Sequence, residues 1–89
     1  MHLEVYNADE ILFKEGDVGD KFYIIYEGRV GISIGRKQNL IELFKGDSFG
    51  ELSLLFGQPR SGTAKILELT ELISLSRDSY NSIIKVLSK

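Results

Sequence analysis

Glu51 and Arg60 stand nine positions apart in the run Phe49-Gly50-Glu51-Leu52-Ser53-Leu54-Leu55-Phe56-Gly57-Gln58-Pro59-Arg60-Ser61-Gly62-Thr63, each with small residues beside it. Arginine carries a rigid fork of N–H donors that fits a phosphate. An ionised glutamate is acceptor-only, so it suits sugar hydroxyls and repels phosphate. A short turn starting at Gly50 can aim free backbone N–H groups at an anion. These parts together describe a site for a sugar joined to a phosphate.

The elements that must hold this run are short strands. Glu10–Phe13 is a candidate strand, followed by turn chemistry in Glu15-Gly16-Asp17-Val18-Gly19-Asp20. Phe22–Tyr26 is aromatic and β-branched and stops at Gly28. Val30, Ile32 and Ile34 alternate with Gly31, Ser33 and Gly35, the period of a half-buried strand. A polar hairpin tip at 35–39 leads into Leu40–Phe44, which ends at Lys45-Gly46-Asp47. After the interruption, Ala64–Leu69 and Glu71–Leu75 resume the β pattern. Tyr80, Ile83, Ile84 and Leu87 then fall at helical spacing. Ser76 is placed to cap that helix, and Asp78 sits in its first turn. Evenly spaced strands with turn signals predict a barrel or sandwich.

Composition narrows the function classes. Eighty-nine residues make one small domain with a modest core. A hydrophobic share of 43% with 27% charged residues fits a globular chain. A net charge of −2 with interspersed signs argues against a dedicated nucleic-acid surface. No apolar run is long enough for a membrane span. The absence of cysteine excludes disulfides and thiolate metal sites and fits a reducing compartment. His2 is the only histidine, so there is no transition-metal constellation and no nucleophile–base pair. The chain is therefore expected to be cytoplasmic and not itself an enzyme, with no catalytic residue, metal or catalytic cofactor.

The run from Phe49 to Thr63 resembles the phosphate-binding cassette of the cyclic nucleotide-binding domain family. Phe49-Gly50-Glu51-Leu52-Ser53-Leu54 matches the first half of that pattern, and Pro59-Arg60 with Thr63 matches the second. Glu15–Tyr23 is similar to the family's early loop and second strand, and Ser76–Tyr80 to the start of its post-barrel helix. The likeness runs from about Asn7 to the end. It implies a mainly β fold: a small antiparallel jelly-roll (cupin-like) β-barrel of about eight strands, with a short helix in the cassette and a C-terminal α-helix.

The resemblance also implies a ligand, cGMP or cAMP, and ligand-binding roles for Gly50, Glu51, Leu52, Ser53, Arg60, Ser61, Gly62 and Thr63. Arg60 would pair with the exocyclic phosphate oxygens and Glu51 would accept from the ribose 2′-hydroxyl. Gly50 would let the backbone approach, and N–H groups near Gly50 to Ser53 would cradle the phosphate. Ser61 could meet a guanine amino group, as a threonine does in cGMP-dependent kinases. Leu40-Ile41-Glu42-Leu43 lacks the cation some cGMP-binding members carry, so both bases stay open. Val30, Ile32, Ile41, Leu43 and Phe49 are candidates for the wall of the base pocket. Gly62 reads as added backbone freedom where the loop should be fixed.

On this reading residues 1–89 are a single cyclic nucleotide-binding domain, a fragment of a larger chain lacking the C-terminal lid helix. It would be a sensor in allosteric signalling. Ligand binding would pass through Leu52, Leu54 and Ile83 to the helix near Arg77. From there it would reach an effector in the same or a partner chain, such as a protein kinase. A degenerate barrel kept for protein–protein interaction is the alternative. A cupin-type enzyme fits the barrel but lacks metal ligands.

Overall fold

A computed structural model describes residues 2–35 and 40–87. The hairpin tip at 36–39 lies outside the described residues, as do the side chains of Leu52, Ile83, Ile84 and Leu87. Ten elements follow one another: β1 (His2–Tyr6), β2 (Ile11–Phe13), β3 (Lys21–Glu27), β4 (Arg29–Ser33), β5 (Leu40–Phe44), β6 (Ser48–Phe49), α1 (Glu51–Phe56), β7 (Thr63–Ile66), β8 (Thr70–Ser76) and α2 (Arg77–Leu87).

The strands form two four-stranded antiparallel sheets, ordered β1-β8-β3-β6 and β2-β7-β4-β5. Their facing sides follow the period of two. Tyr23 and Ile25 of β3 and Leu72 of β8 meet Val30 of β4 and Ala64 and Ile66 of β7 in one buried cluster. Phe22, Leu75 and Leu54 form a second cluster on the other side of the first sheet, joined by Ile24 and Tyr80. α1 and α2 therefore lie outside the barrel. Phe22 and Tyr80 meet edge to face at 5.3 Å. Ser76 caps α2, its hydroxyl accepting the Ser79 N–H at 3.4 Å.

β1 and β6 were not among the strands expected from the sequence. β6 has only two residues. β1 inverts the usual alternation: Leu3 and Val5 are 60% and 61% exposed, while Glu4 and Tyr6 turn inward. The inward carboxylate is satisfied there. Ser74 Oγ donates to Glu4 Oε2 at 2.6 Å, the Tyr6 hydroxyl donates to Oε1, and Lys21 Nζ lies 3.8 Å away. Burial raises the Glu4 pKa, but the Ser74 and Tyr6 hydroxyls and Lys21 outweigh it, and the net shift is downward. Burial and then the bond to Glu4 push the Tyr6 hydroxyl upward. A carboxyl lowered on folding adds stability above its unfolded pKa and loses it as pH falls through the folded one. Urea unfolding followed downward from about pH 5 should therefore lose stability as Glu4 protonates, and Glu4→Gln should flatten that slope. An unchanged slope in the variant would mean that other carboxylates carry the acid sensitivity.

Candidate functional site

Arg60 reaches its position through backbone lacing. Its N–H donates to Asp17 O at 2.7 Å, its carbonyl accepts from Gly16 N–H at 2.8 Å, and Pro59 bridges Val18. The strand-like residues before β7 are thus sewn to the loop between β2 and β3. The side chain runs inward and is only 5% exposed. Nη2 donates to Lys21 O at 3.0 Å and Nη1 to Gly50 O at 3.3 Å. The guanidinium carbon stands 4.2 Å above the centre of the Phe13 ring, a cation–π distance. Phe13, Tyr23 and Phe49 pack on one another beneath it, the last two stacked at 5.3 Å. Nε is buried without a hydrogen-bond partner. Burial pulls the guanidinium pKa down, with Tyr23, Asp20 and Asp17 opposing, and the group remains a cation at neutral pH.

Gly50 precedes α1 with φ 92° and ψ 7°, left-handed backbone that favours glycine. A Cβ there would also sit 2.7 Å from Arg60 Nη1 and 2.9 Å from Lys21 O. No side chain caps α1, and Glu51 occupies its first position. Beside Arg60 opens a cavity of about 210 Å³ whose walls include Gly50, Glu51, Ser53, Arg60, Ser61 and Gly62. Glu51 and Arg60 share this cavity, and the ion pairs among the described residues include neither. A carboxylate and a guanidinium on one hollow, unpaired with each other, can meet a hydroxyl and an anion on the same small molecule.

The other expected residues divide by what they touch. Ser53 is buried, and its hydroxyl donates to Gln58 O at 2.8 Å, closing the cassette loop. Ser61 is an exposed part of the cavity wall. Thr63 is not in the wall; its hydroxyl accepts the Glu15 N–H at 3.0 Å. The side chain of Leu52 lies outside the described residues. Gly62 is tightly packed rather than slack: a Cβ there would lie 2.8 Å from Ser33 O and 3.1 Å from Ile32 Cγ2. Of the base-pocket candidates, Ile32 and Phe49 line the cavity. Val30 is core, Leu43 packs against the core, and Ile41 is exposed. Phe13, Phe22, Ser48 and Gln58 also line the cavity and were not assigned to the site from the sequence. Phe13 and Phe22 carried a readable signal, as aromatics at the end and the start of expected strands.

The model of the cyclic nucleotide-binding domain matches residues 3–86. The chain belongs to the cyclic nucleotide-binding domain family. Its match begins within β1, earlier than the likeness from Asn7 onward indicated. This cyclic nucleotide-binding domain is 37% identical over 82 residues to a cGMP-dependent protein kinase of Toxoplasma gondii, covering 92% of the chain and 8% of the relative. It is 37% identical over 84 residues to a cAMP-dependent protein kinase regulatory subunit of Dictyostelium discoideum, covering 90% of the chain and 26% of the relative. Among solved structures, a cAMP-bound PfPKA-R superimposes with a TM-score of 0.84 at 36% identity, over 91% of this chain and 28% of that one. The domain thus spans 8% to 28% of these three proteins. No helix among the described residues is long and apolar enough to cross a membrane. No three His, Cys, Asp or Glu side chains among them gather to hold a metal ion.

Proposed function

We propose that this domain is a regulatory sensor that binds cAMP or cGMP in the cavity shared by Glu51 and Arg60. The observation that carries the reading is the Arg60 guanidinium, buried on the cavity wall and fixed by two backbone carbonyls. A fork already held in place loses little freedom when a phosphate arrives. Glu51 accepts from the ribose hydroxyl, and the N–H groups of the first turn of α1 face the phosphate. Ser61 and Gln58 stand where they can discriminate a base, and the ligand is left as cAMP or cGMP. The relatives' kinase names and their greater length support an effector kinase elsewhere in the same or a partner chain. Their greater length likewise supports one regulatory module within a longer protein, and a cytoplasmic location is part of the same proposal.

The route outward runs along α1. Arg77, first residue of α2, donates through Nε to Leu54 O at 2.8 Å, and Leu54 packs with Phe22, Leu75 and Tyr80. A ligand that draws α1 toward the phosphate therefore displaces the start of α2. It shifts the equilibrium only by its difference in affinity for the two positions. A barrel kept solely for protein contact has less in its favour, since Gly62 is required by close packing. Competitive titration with cAMP, cGMP and a purine nucleoside is the test. Saturable binding of a cyclic nucleotide, with the nucleoside much weaker, is expected. No binding of any of the three would overturn the reading.

A further inference from the structure

Gly19, in the loop between β2 and β3, lies outside the left-handed φ range that favours glycine. Turn geometry therefore does not require glycine there. Space does. A Cβ built at Gly19 would lie 2.3 Å from Arg60 Nη2, 2.4 Å from Nε and 2.6 Å from the guanidinium carbon. Gly50 closes the other side of the same guanidinium, and the Phe13 ring forms its floor. The unpartnered Nε is the atom that faces Gly19 most closely after Nη2. The guanidinium is thus keyed into a slot made by the missing side chains of two glycines.

We propose that Gly19 is a positioning residue for Arg60. The bare Cα keeps open the slot in which the fork meets the carbonyls of Lys21 and Gly50 at the cavity wall. The ligand-binding consequence rests on the function proposed above; the slot itself does not. A methyl group at position 19 is accommodated most cheaply when the flexible end of Arg60 swings out, because the alternative is to move backbone. The fork then loses its carbonyl anchors and its ring contact, and a phosphate must pay to order it again.

The test is Gly19→Ala, read in two ways. The Arg60 Nε–Hε resonance of arginine-labelled protein reports the slot without ligand, because the Phe13 ring shifts it; Arg60→Lys identifies the signal. Gly19→Ala is expected to move this resonance to the free-arginine position while the rest of the spectrum holds. Affinity for cAMP or cGMP is expected to fall about tenfold or more, within the coupling seen for residues in contact. An unmoved resonance overturns the proposal, and so does a moved resonance with unchanged affinity. If Gly19→Ala unfolds the domain, the double variant with Arg60→Ala decides: a recovered fold supports the clash, and a lost one overturns it. If the unaltered domain binds neither nucleotide, the proposed function fails, and the resonance alone decides the slot.

Discussion

Arg60→Ala is expected to weaken cyclic nucleotide binding by about 2–5 kcal/mol, the cost of leaving a buried charge without its partner. At about 1.4 kcal/mol per tenfold, that is roughly thirtyfold to several thousandfold in Kd. The figure follows from where the side chain sits. A guanidinium that is 5% exposed and already bonded to Lys21 O and Gly50 O meets the ligand with its geometry set. Alanine removes the charge and empties the slot above Phe13. Arg60→Lys keeps the charge, but one ammonium cannot span two carbonyls and a phosphate as the fork does, so its loss should fall between. Calorimetric titration with cAMP and cGMP measures both. Retention of near-normal affinity in Arg60→Ala would remove Arg60 from the site.

Gly28→Ala is expected to cost about 2–5 kcal/mol of stability, combining left-handed backbone strain with overpacking. That is a large share of the roughly 5–15 kcal/mol that holds a domain folded. Gly28 joins β3 to β4 at φ 109°, and a Cβ there would lie 2.6 Å from Thr70 Cα and 2.8 Å from Leu69 O. These are backbone atoms of the segment entering β8, so no rotamer change relieves the contact. Thr70 is itself fully buried, accepting the Arg29 N–H at 3.1 Å and lying 2.7 Å from Glu68 O. The turn is thus pinned between both sheets. Thermal unfolding is the measurement, and an unchanged midpoint would show that the turn can open to admit the methyl.

The fold was readable where an aromatic and β-branched run or a plain alternation marks a strand. β3, β4 and β8 put Tyr23, Ile25, Val30 and Leu72 inward on period two, and Ser76 sits at the cap its sequence position indicated. β1 was not, because its inward residues are Glu4 and Tyr6, and their partners Ser74 and Lys21 are supplied by β8 and β3. The pairing of Glu51 with Arg60 on one cavity could be anticipated because both sit in one short run. What holds Arg60 could not. Lys21 O, at the start of β3, and the vacant side of Gly19, in the loop before it, are backbone features 39 and more positions earlier, and no side-chain pattern announces them. Gly62 shows the converse: glycine in a loop reads as freedom, while its contacts with Ser33 and Ile32 make it a spacing requirement.

The two apolar clusters differ in depth. Among the described residues, the one between the sheets joins six buried residues from four strands, and the one under α1 and α2 has three. Local opening takes place where buried contacts are fewest. The cassette helix, six residues long and without a side-chain cap, is the element expected to tilt or lift while the barrel behind it keeps its register. On the function proposed here, the barrel is the fixed frame and the cassette helix is the part that answers the ligand.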